Sequence, residues 1–475
     1  IRISRQLPGR RRQGNPLHCG MLCCSKRKDD KDDGLRPAGF IPVDASRWRT
    51  GEQKVPSRIE HLNKEWLTVA LRIKGHLKAD GRVTSVEVRP IGEGLGMMAD
   101  MALLHLTLDG ALPGAPHRMV AKFAPQKQDK LPRFIVKFQL RNEAHFYNDF
   151  TVAGGGLPRP ACYLAAERRR AKPTFLMLLE IVDDAVTYTR IGGCDVAEHL
   201  ERAVGALGGL HARWWDHPRK APLQWALHPH QGLGRFLFSR QYFAYSLSRA
   251  LRAMRVWEPE TFAPLLAWSE LLTRAAPLVV KQCTTPPFTL VHGDAHLDNI
   301  FFADRFPSGC AFIDHANMML AKPLLDVAFF LGTNLPPAVR RAQEVALLRR
   351  YHATLVAGGV EGYSWEACWT DYRWAMLQCL FGYACFVVQD YAKQKSNRTG
   401  VFAADQASVS KAERNLARVY SGDGPSSPGF NGRLVTALVD LKCDELLRDA
   451  LSHARGPSPC CGGAPAATHE DRQMC

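Results

Sequence analysis

An apolar run, Phe288-Thr289-Leu290-Val291, leads into His292-Gly293-Asp294-Ala295-His296-Leu297-Asp298-Asn299, and a second, Ile300-Phe301-Phe302, leads out. That pattern confines the chain to a tight polar loop between two extended pieces of core. Within the loop a carboxylate, Asp294, and a carboxamide, Asn299, stand five residues apart. Fifteen residues past Asn299 the arrangement recurs, as Cys310-Ala311-Phe312-Ile313 ends on another carboxylate, Asp314. A lone His-Gly-Asp is usually a plain turn, since glycine and aspartate are common turn formers. Two such junctions at this spacing point to a site.

The flanking sequence reads as two lobes between two tails. Residues 1–57 are rich in Arg, Lys, Asp, Gly and Pro without apolar periodicity, the composition of a disordered basic tail. Order is expected from Arg58, where Ile59, Leu62, Trp66 and Leu67 recur at helical spacing. Strands are expected at 83–88, 102–108, 118–123, 160–165 and 175–180, with a helix at 140–150. Together they form a small α+β lobe over 58–182. Segments 195–214, 234–255, 259–280, 336–357 and 365–392 have helical periodicity, so 183–455 is expected to be a larger, mainly helical lobe. Residues 456–475 turn Gly-, Pro- and Ala-rich and read as a second disordered tail. The apolar run from Trp374 to Val388 is interrupted by Gln378 and is too short to span a bilayer, so it is expected as a buried helix and no transmembrane segment is expected.

Charge and cysteine content narrow the function classes. The formal net charge is +16, of which residues 1–50 supply +7 from twelve Lys/Arg against five Asp. The remaining +9 is spread thinly and accompanies no recognition motif, so no nucleic-acid partner is expected. A mildly basic enzyme that handles anionic nucleotides accounts for it. The fourteen cysteines show no paired CxxC motifs, which argues against zinc and for reduced, buried thiols. These features suit a cytoplasmic enzyme, although the acid-free, Arg-rich stretch 2–12 leaves a targeting segment open. Oligomeric state is not legible.

Two carboxylates and a carboxamide in this order suit phosphoryl transfer. Its transition state is loose, so an enzyme mainly positions the acceptor and neutralises phosphate charge through Mg²⁺. One Asp can orient the acceptor hydroxyl and take its proton, while an Asn and a second Asp hold the metal. Oxygen ligands suit Mg²⁺, which keeps waters and takes phosphate oxygens besides one or two carboxylates.

The loop, with Ile313-Asp314 and then Pro323-Leu324-Leu325-Asp326 after it, resembles the motifs of the aminoglycoside phosphotransferase and choline-kinase-like families, most of all their CHK kinase-like (ecdysteroid-kinase-like) branch. The resemblance implies a protein-kinase-like two-lobed fold, ATP and Mg²⁺ as cofactors, and a hydroxyl-bearing small molecule as acceptor. It implies Asp294 as catalytic base with His292 beside it in the loop, Asn299 and Asp314 as Mg²⁺ ligands, and Asp326 as the brace of the loop. Where the family often has an aromatic residue and Gln or Glu after the metal Asp, this chain has His315-Ala316, and Ala321 replaces a usual Gly.

A kinase-like enzyme also needs a phosphate clamp in its first lobe. Gly92, Gly94 and Gly96 lie between two expected strands, where glycines let backbone approach phosphate. Lys122 on the next strand and Glu143 on the following helix match the phosphate-contacting Lys and its Glu partner. Glu143 with Phe146-Tyr147, and Leu207 to Trp214 with its Leu210-His211-Ala212, also resemble family segments, His211 and Trp214 being read as core. Glu180 would close the strand entering the hinge, where backbone groups of 179–182 meet adenine. Three other readings compete. A protein kinase would carry His-Arg-Asp and Asp-Phe-Gly, both missing here. A pseudokinase that only binds nucleotide would be expected to lose Asp294, Asn299 or Asp314. A nucleic-acid module rests on the basic tail alone. The acceptor is not legible: the aromatics of 215–280 and 360–420 could line a pocket for a sterol, a choline-like cation or a hydrophobic alcohol, and core packing explains them equally well.

Overall fold

The computed structural model describes residues 55–91, 99–124, 133–150, 156–168, 174–216, 223–397, 411–424 and 427–454. Gly92, Gly94 and Gly96 lie outside the described residues, as does nearly all of both expected tails.

Helix α1 (Lys64–Ile73) begins where the Asn63 side chain accepts the Trp66 N–H at 2.8 Å, satisfying one of the orphan donors of a helix start. Five antiparallel strands follow as one sheet: β1 (Leu77–Ile91), β2 (Asp100–Ala111), β3 (Arg118–Phe123), β4 (Cys162–Arg168) and β5 (Thr174–Leu179), in the order β1-β2-β3-β5-β4. Side chains alternate across a strand, and here the two faces feed two cores. Ala102, Leu104, Met119, Ala121, Leu176 and Leu178 pack with Trp66, Leu67 and Leu71 of α1. Ala165, Phe175 and Met177 join Leu140, Ala144 and Phe146 of α2 (Arg133–Asp149), in a core that continues through the second lobe. Val55, three residues ahead of the expected start at Arg58, is already buried in the first core. Helix α2 starts at Arg133, earlier than the expected 140. Its first turns mix aromatic and β-branched residues, which blur a helical period.

The second lobe is mainly helical, as expected. After β6 (Val186–Thr187) come α3 (Ala197–Arg213), α4 (Gly232–Leu237), α5 (Arg240–Trp257), α6 (Ala263–Ala267) and α7 (Ser269–Cys283). Four short strands follow, β7 (Thr289–Val291), β8 (Ile300–Phe302), β9 (Cys310–Phe312) and β10 (Met319–Ala321). The described chain then runs through α8 (Leu324–Asn334), α9 (Pro337–Ala357), α10 (Trp365–Asn397), α11 (Lys411–Ser421), α12 (Phe430–Asp440) and α13 (Cys443–Ala454). Strands β6, β8 and β9 form one small sheet, and β7 pairs with β10 in another. The α+β, two-lobed architecture expected from the sequence is the one observed.

The apolar run at 374–388 lies within α10, where Met376, Leu377, Leu380 and Phe381 are sealed. Among the described residues no helix is long and apolar enough to cross a membrane. The described cysteines are free thiols, most of them buried. Of the aromatics that could have lined a pocket, Trp225, Phe243, Tyr372 and Trp374 fill core, whereas Phe236 and Tyr245 stay exposed.

Candidate active site

Every residue of β7 is buried, and the strand delivers the loop that begins at His292. Gly293 turns it with φ +76°, and a Cβ there would lie 2.3 Å from the Asn317 carbonyl oxygen, so only glycine fits. Helix α8 holds the loop at two points. Asp326 in its first turn accepts the His292 N–H at 2.6 Å and the Gly293 N–H at 2.8 Å. Asn334 at its other end accepts the Leu297 N–H at 3.1 Å. Asp326 is 1% exposed, and His211 approaches its carboxylate at 3.2 Å while meeting the Tyr351 hydroxyl at 2.8 Å. Burial would raise this carboxyl, but His211 and the backbone N–H groups outweigh burial and hold it below the usual range. His292 Nε2 lies 3.0 Å from the Ile313 carbonyl, to which it donates, and its Nδ1 accepts the Asp294 N–H at 3.3 Å. His292 and Asp326 thus fix the loop from inside.

Asp294 is about a quarter exposed, with 26% of its side chain open to solvent. Its Oδ2 accepts from Asn317 Nδ2 at 3.2 Å, and His296 Nε2 lies 3.5 Å from Oδ1. Burial pushes its carboxyl up to about 6, Arg190 opposing and Asp314 adding to the rise. Asn299 directs its amide nitrogen to the Asp294 carbonyl and to His296 Nε2, both at 3.1 Å. Burial, with Arg190 adding, keeps His296 neutral, its pKa lowered to about 3. Asp298 instead accepts from Arg190, at 2.6 Å from Nε and 3.1 Å from the backbone N–H. The Arg190 and Ile191 carbonyls, together with that of Asn334, all accept from buried Arg433 of α12.

Two residues past β9 comes Asp314, which sits in the left-handed region at φ 60°, ψ 61°. Across the lobes, Lys122 of β3 reaches it at 3.1 Å. The same ammonium is 2.7 Å and 2.9 Å from the two oxygens of Glu143 on α2. Burial would lower Lys122, but Asp314 and Glu143 win and hold it well above the usual lysine range. Asp314 is correspondingly held low, Lys122 outweighing burial. Helix α2 also grips the turn after Asp314. Asn142 Nδ2 donates to the Met318 carbonyl at 3.1 Å and Gln139 Nε2 to Asn317 Oδ1 at 2.8 Å. Phe146 stacks on His315 with ring centroids 3.8 Å apart, so His315 packs where the family often has an aromatic residue. Arg159 caps the end of α2, donating to the Phe146 carbonyl at 2.9 Å.

Among the described residues, no group of three or more His, Cys, Asp or Glu side chains is placed to hold a metal by itself. Asn299 and Asp314 supply oxygen donors from two adjacent turns, a set that fits a hard cation completing its shell with water and phosphate. Glu180, the residue after β5, spends its side chain on structure: Oε2 accepts the Ala161 N–H at 2.7 Å, and Arg305 pairs with Oε1 at 2.8 Å. That leaves any adenine contact in this segment to the backbone. Asn142, Gln139, Asn317, Asn334, Arg190 and Arg433 were not singled out by the sequence reading. Asn334 alone had a signal, lying two turns past Asp326 on the same helix.

The model of the phosphotransferase enzyme family (APH) matches residues 116–365. No curated protein matches the sequence to a significant degree. Among solved structures, a choline kinase from Cryptosporidium parvum Iowa II aligns at 10% identity over 82% of this chain and 97% of its own, with a TM-score of 0.46. A microcompartment-associated aminopropanol kinase aligns at 13% identity over 82% and 98%, with a TM-score of 0.39. An ethanolamine kinase from Plasmodium vivax aligns at 13% identity over 64% and 81%, also at 0.39.

Proposed function

The chain belongs to the phosphotransferase enzyme family, whose model spans more than half of it, and from that premise we propose that it is an ATP-dependent kinase of a hydroxyl-bearing small molecule. The observation that carries this reading is Lys122, set between Glu143 at 2.7 Å and Asp314 at 3.1 Å so that one cation joins the two lobes. Lys122, kept charged by these carboxylates, binds nucleotide phosphate. Asp294 accepts the proton of the acceptor hydroxyl as its oxygen bonds to the γ-phosphorus and the bond to ADP breaks. Asn317 holds the Asp294 carboxylate in aim, and Asp326 keeps the loop backbone fixed. Asn299 and Asp314 would hold Mg²⁺, which when bound neutralises charge on the transferred phosphoryl group. Within the family we infer the CHK kinase-like branch, on the loop sequence and on Glu143 with Phe146-Tyr147.

Purified protein given Mg²⁺, ATP and a panel of hydroxylated metabolites should release ADP with one acceptor class, and Asp294→Asn should abolish that release. If Mg²⁺ with ATP fails to shift the thermal midpoint of the wild-type protein, the nucleotide premise is wrong.

A further inference from the structure

From His217 to Trp257 the sequence holds seven Lys or Arg and no Asp or Glu. Most of its described part is α4 and α5, where the Ser239 hydroxyl caps α5 by accepting the Tyr242 N–H at 3.2 Å. One face of α5 is fixed in the core through Phe243, Leu247, Ala250, Leu251 and Met254. The other carries Tyr245, Arg249, Arg252 and Val256, whose spacing of four, three and four places them within about 60° around the helix. The Arg249 guanidinium lies 5.4 Å from the Tyr245 ring centroid. Phe236 of α4 meets Tyr242 at 5.0 Å, which extends the stripe onto the shorter helix. Its apolar members stand in water: Phe236 is 57% exposed, Tyr245 51% and Val256 74%.

What sets this surface apart is the clustering of unmatched arginines beside exposed apolar side chains. Elsewhere Arg89, Arg118, Arg341 and Arg418 are matched by Glu87, Asp183, Asp440 and Asp423. Exposed Arg58, Arg141, Arg213, Arg349 and Arg350, which form no ion pair among the described residues, are scattered over other elements. Among the described residues no carboxylate forms an ion pair with Arg235, Arg240, Arg252 or Arg255, all of them exposed. The first acid after the stretch, Glu258, accepts from Ser421 and Asn431 instead. Unmatched guanidinium groups seek an anionic partner. Exposed aromatic and aliphatic side chains among them gain by entering the boundary between headgroups and acyl chains. A nucleic acid would satisfy the arginines and give Val256 nothing.

We propose that α4 and α5 form a docking surface for an anionic lipid membrane, with α5 lying in the interface plane. This surface lies outside the catalytic cluster and does not depend on the kinase reading. The test uses full-length protein sedimented with vesicles of phosphatidylcholine alone or mixed with phosphatidylserine. Wild-type protein should bind the mixed vesicles. A basic residue at an anionic surface contributes about fivefold in partitioning, so Arg252→Gln with Arg255→Gln should lower binding roughly 25-fold. Phe236→Ser with Val256→Ser should lower it several-fold, and both variants should melt like wild type because the side chains are exposed. The basic N-terminal segment is present in every sample, so the differences report the helices. Failure of the wild type to bind, or equal binding by the variants, overturns the proposal. So does a stretch that binds short RNA, loses it with the arginines and is indifferent to Phe236 and Val256.

Discussion

The loop 292–299 and the turn 314–318 meet at the site, yet they are held from opposite directions. The loop is held from its own lobe, through backbone groups: Asp326 takes the N–H groups of His292 and Gly293, and Asn334 takes that of Leu297. The turn is held from the other lobe, through side chains of β3 and α2: Lys122 on Asp314, Asn142 on Met318, Gln139 on Asn317 and Phe146 on His315. One attachment is part of folding the large lobe. The other joins β3 and α2 to the large lobe across the site, and contacts that bridge lobes are where motion is expected. Damage to the first should therefore show as lost stability, and damage to the second as lost alignment.

The largest effect is expected from breaking the first attachment. Asp326→Ala leaves two buried N–H groups and His211 without their acceptor, which should cost about 3–5 kcal/mol. Lys122→Met strips buried Glu143 of its cation, but burial already raises that carboxyl to about 7, so it can take up a proton. The variant should therefore lose less stability than Asp326→Ala while lowering kcat/KM by about 10²–10³-fold, the scale of losing a placed electrostatic donor. Urea unfolding of the two variants side by side decides it. If Asp326→Ala unfolds at the wild-type midpoint, the contrast between the attachments is false.

Asp294 sharpens the same contrast, because the proposed base is an aspartate whose burial costs stability. Asp294→Asn should lower kcat by about 10²–10⁴-fold, the range for a general base. The folded pKa is raised from 3.8 to about 6, so the folded chain holds the proton more tightly than the unfolded one. The ionised carboxylate then opposes folding fully above pH 6, and that opposition fades as pH falls from about 6 towards 4 and is gone below the unfolded value of 3.8. The Asn variant should be more stable than wild type at pH 8, by about 1–3 kcal/mol, and no more stable at pH 4. Wild-type kcat/KM should fall as pH drops through about 6. Thermal melts at the two pH values would refute this if the variant were the less stable protein at pH 8.

Asn142→Ala should have the smallest effect. It removes donors to the Met318 and Ala316 carbonyls at 3.1 Å and 3.4 Å, worth about 1–2 kcal/mol. Amide exchange should quicken at 315–318 and not at 292–299. Equal quickening in both segments would show that α2 holds the loop as well as the turn.

The sequence was most legible where function depends on order along the chain. Strand-to-carboxylate junctions located Asp294 and Asp314, and spacing located Asn299 and Asp326. The sequence order of Lys122 and Glu143 anticipated a pair that stands 2.7 Å apart. The five strands of the first lobe were legible in their regular parts, where side chains alternate between two faces, whereas the shifts in register early in β1 hid its start at Leu77. Asn317 was not legible, since it reaches Asp294 only after β9 and β10 fold the chain back on itself. Asn142 was hidden for a similar reason, its partners lying 174 and 176 residues away. His315 shows the limit of comparing residue types, as an imidazole here does the stacking of a larger ring.

Arg433 closes the floor of the site from α12, beyond the 116–365 segment that the family shares. During synthesis every side chain proposed for the site, from Lys122 to Asp326, emerges from the ribosome well before that guanidinium does. A nascent or prematurely terminated chain would hold the full set of reactive groups above three carbonyls still waiting for their donor. A stop codon ahead of α12 would then yield a chain that carries those groups and lacks the arginine beneath them.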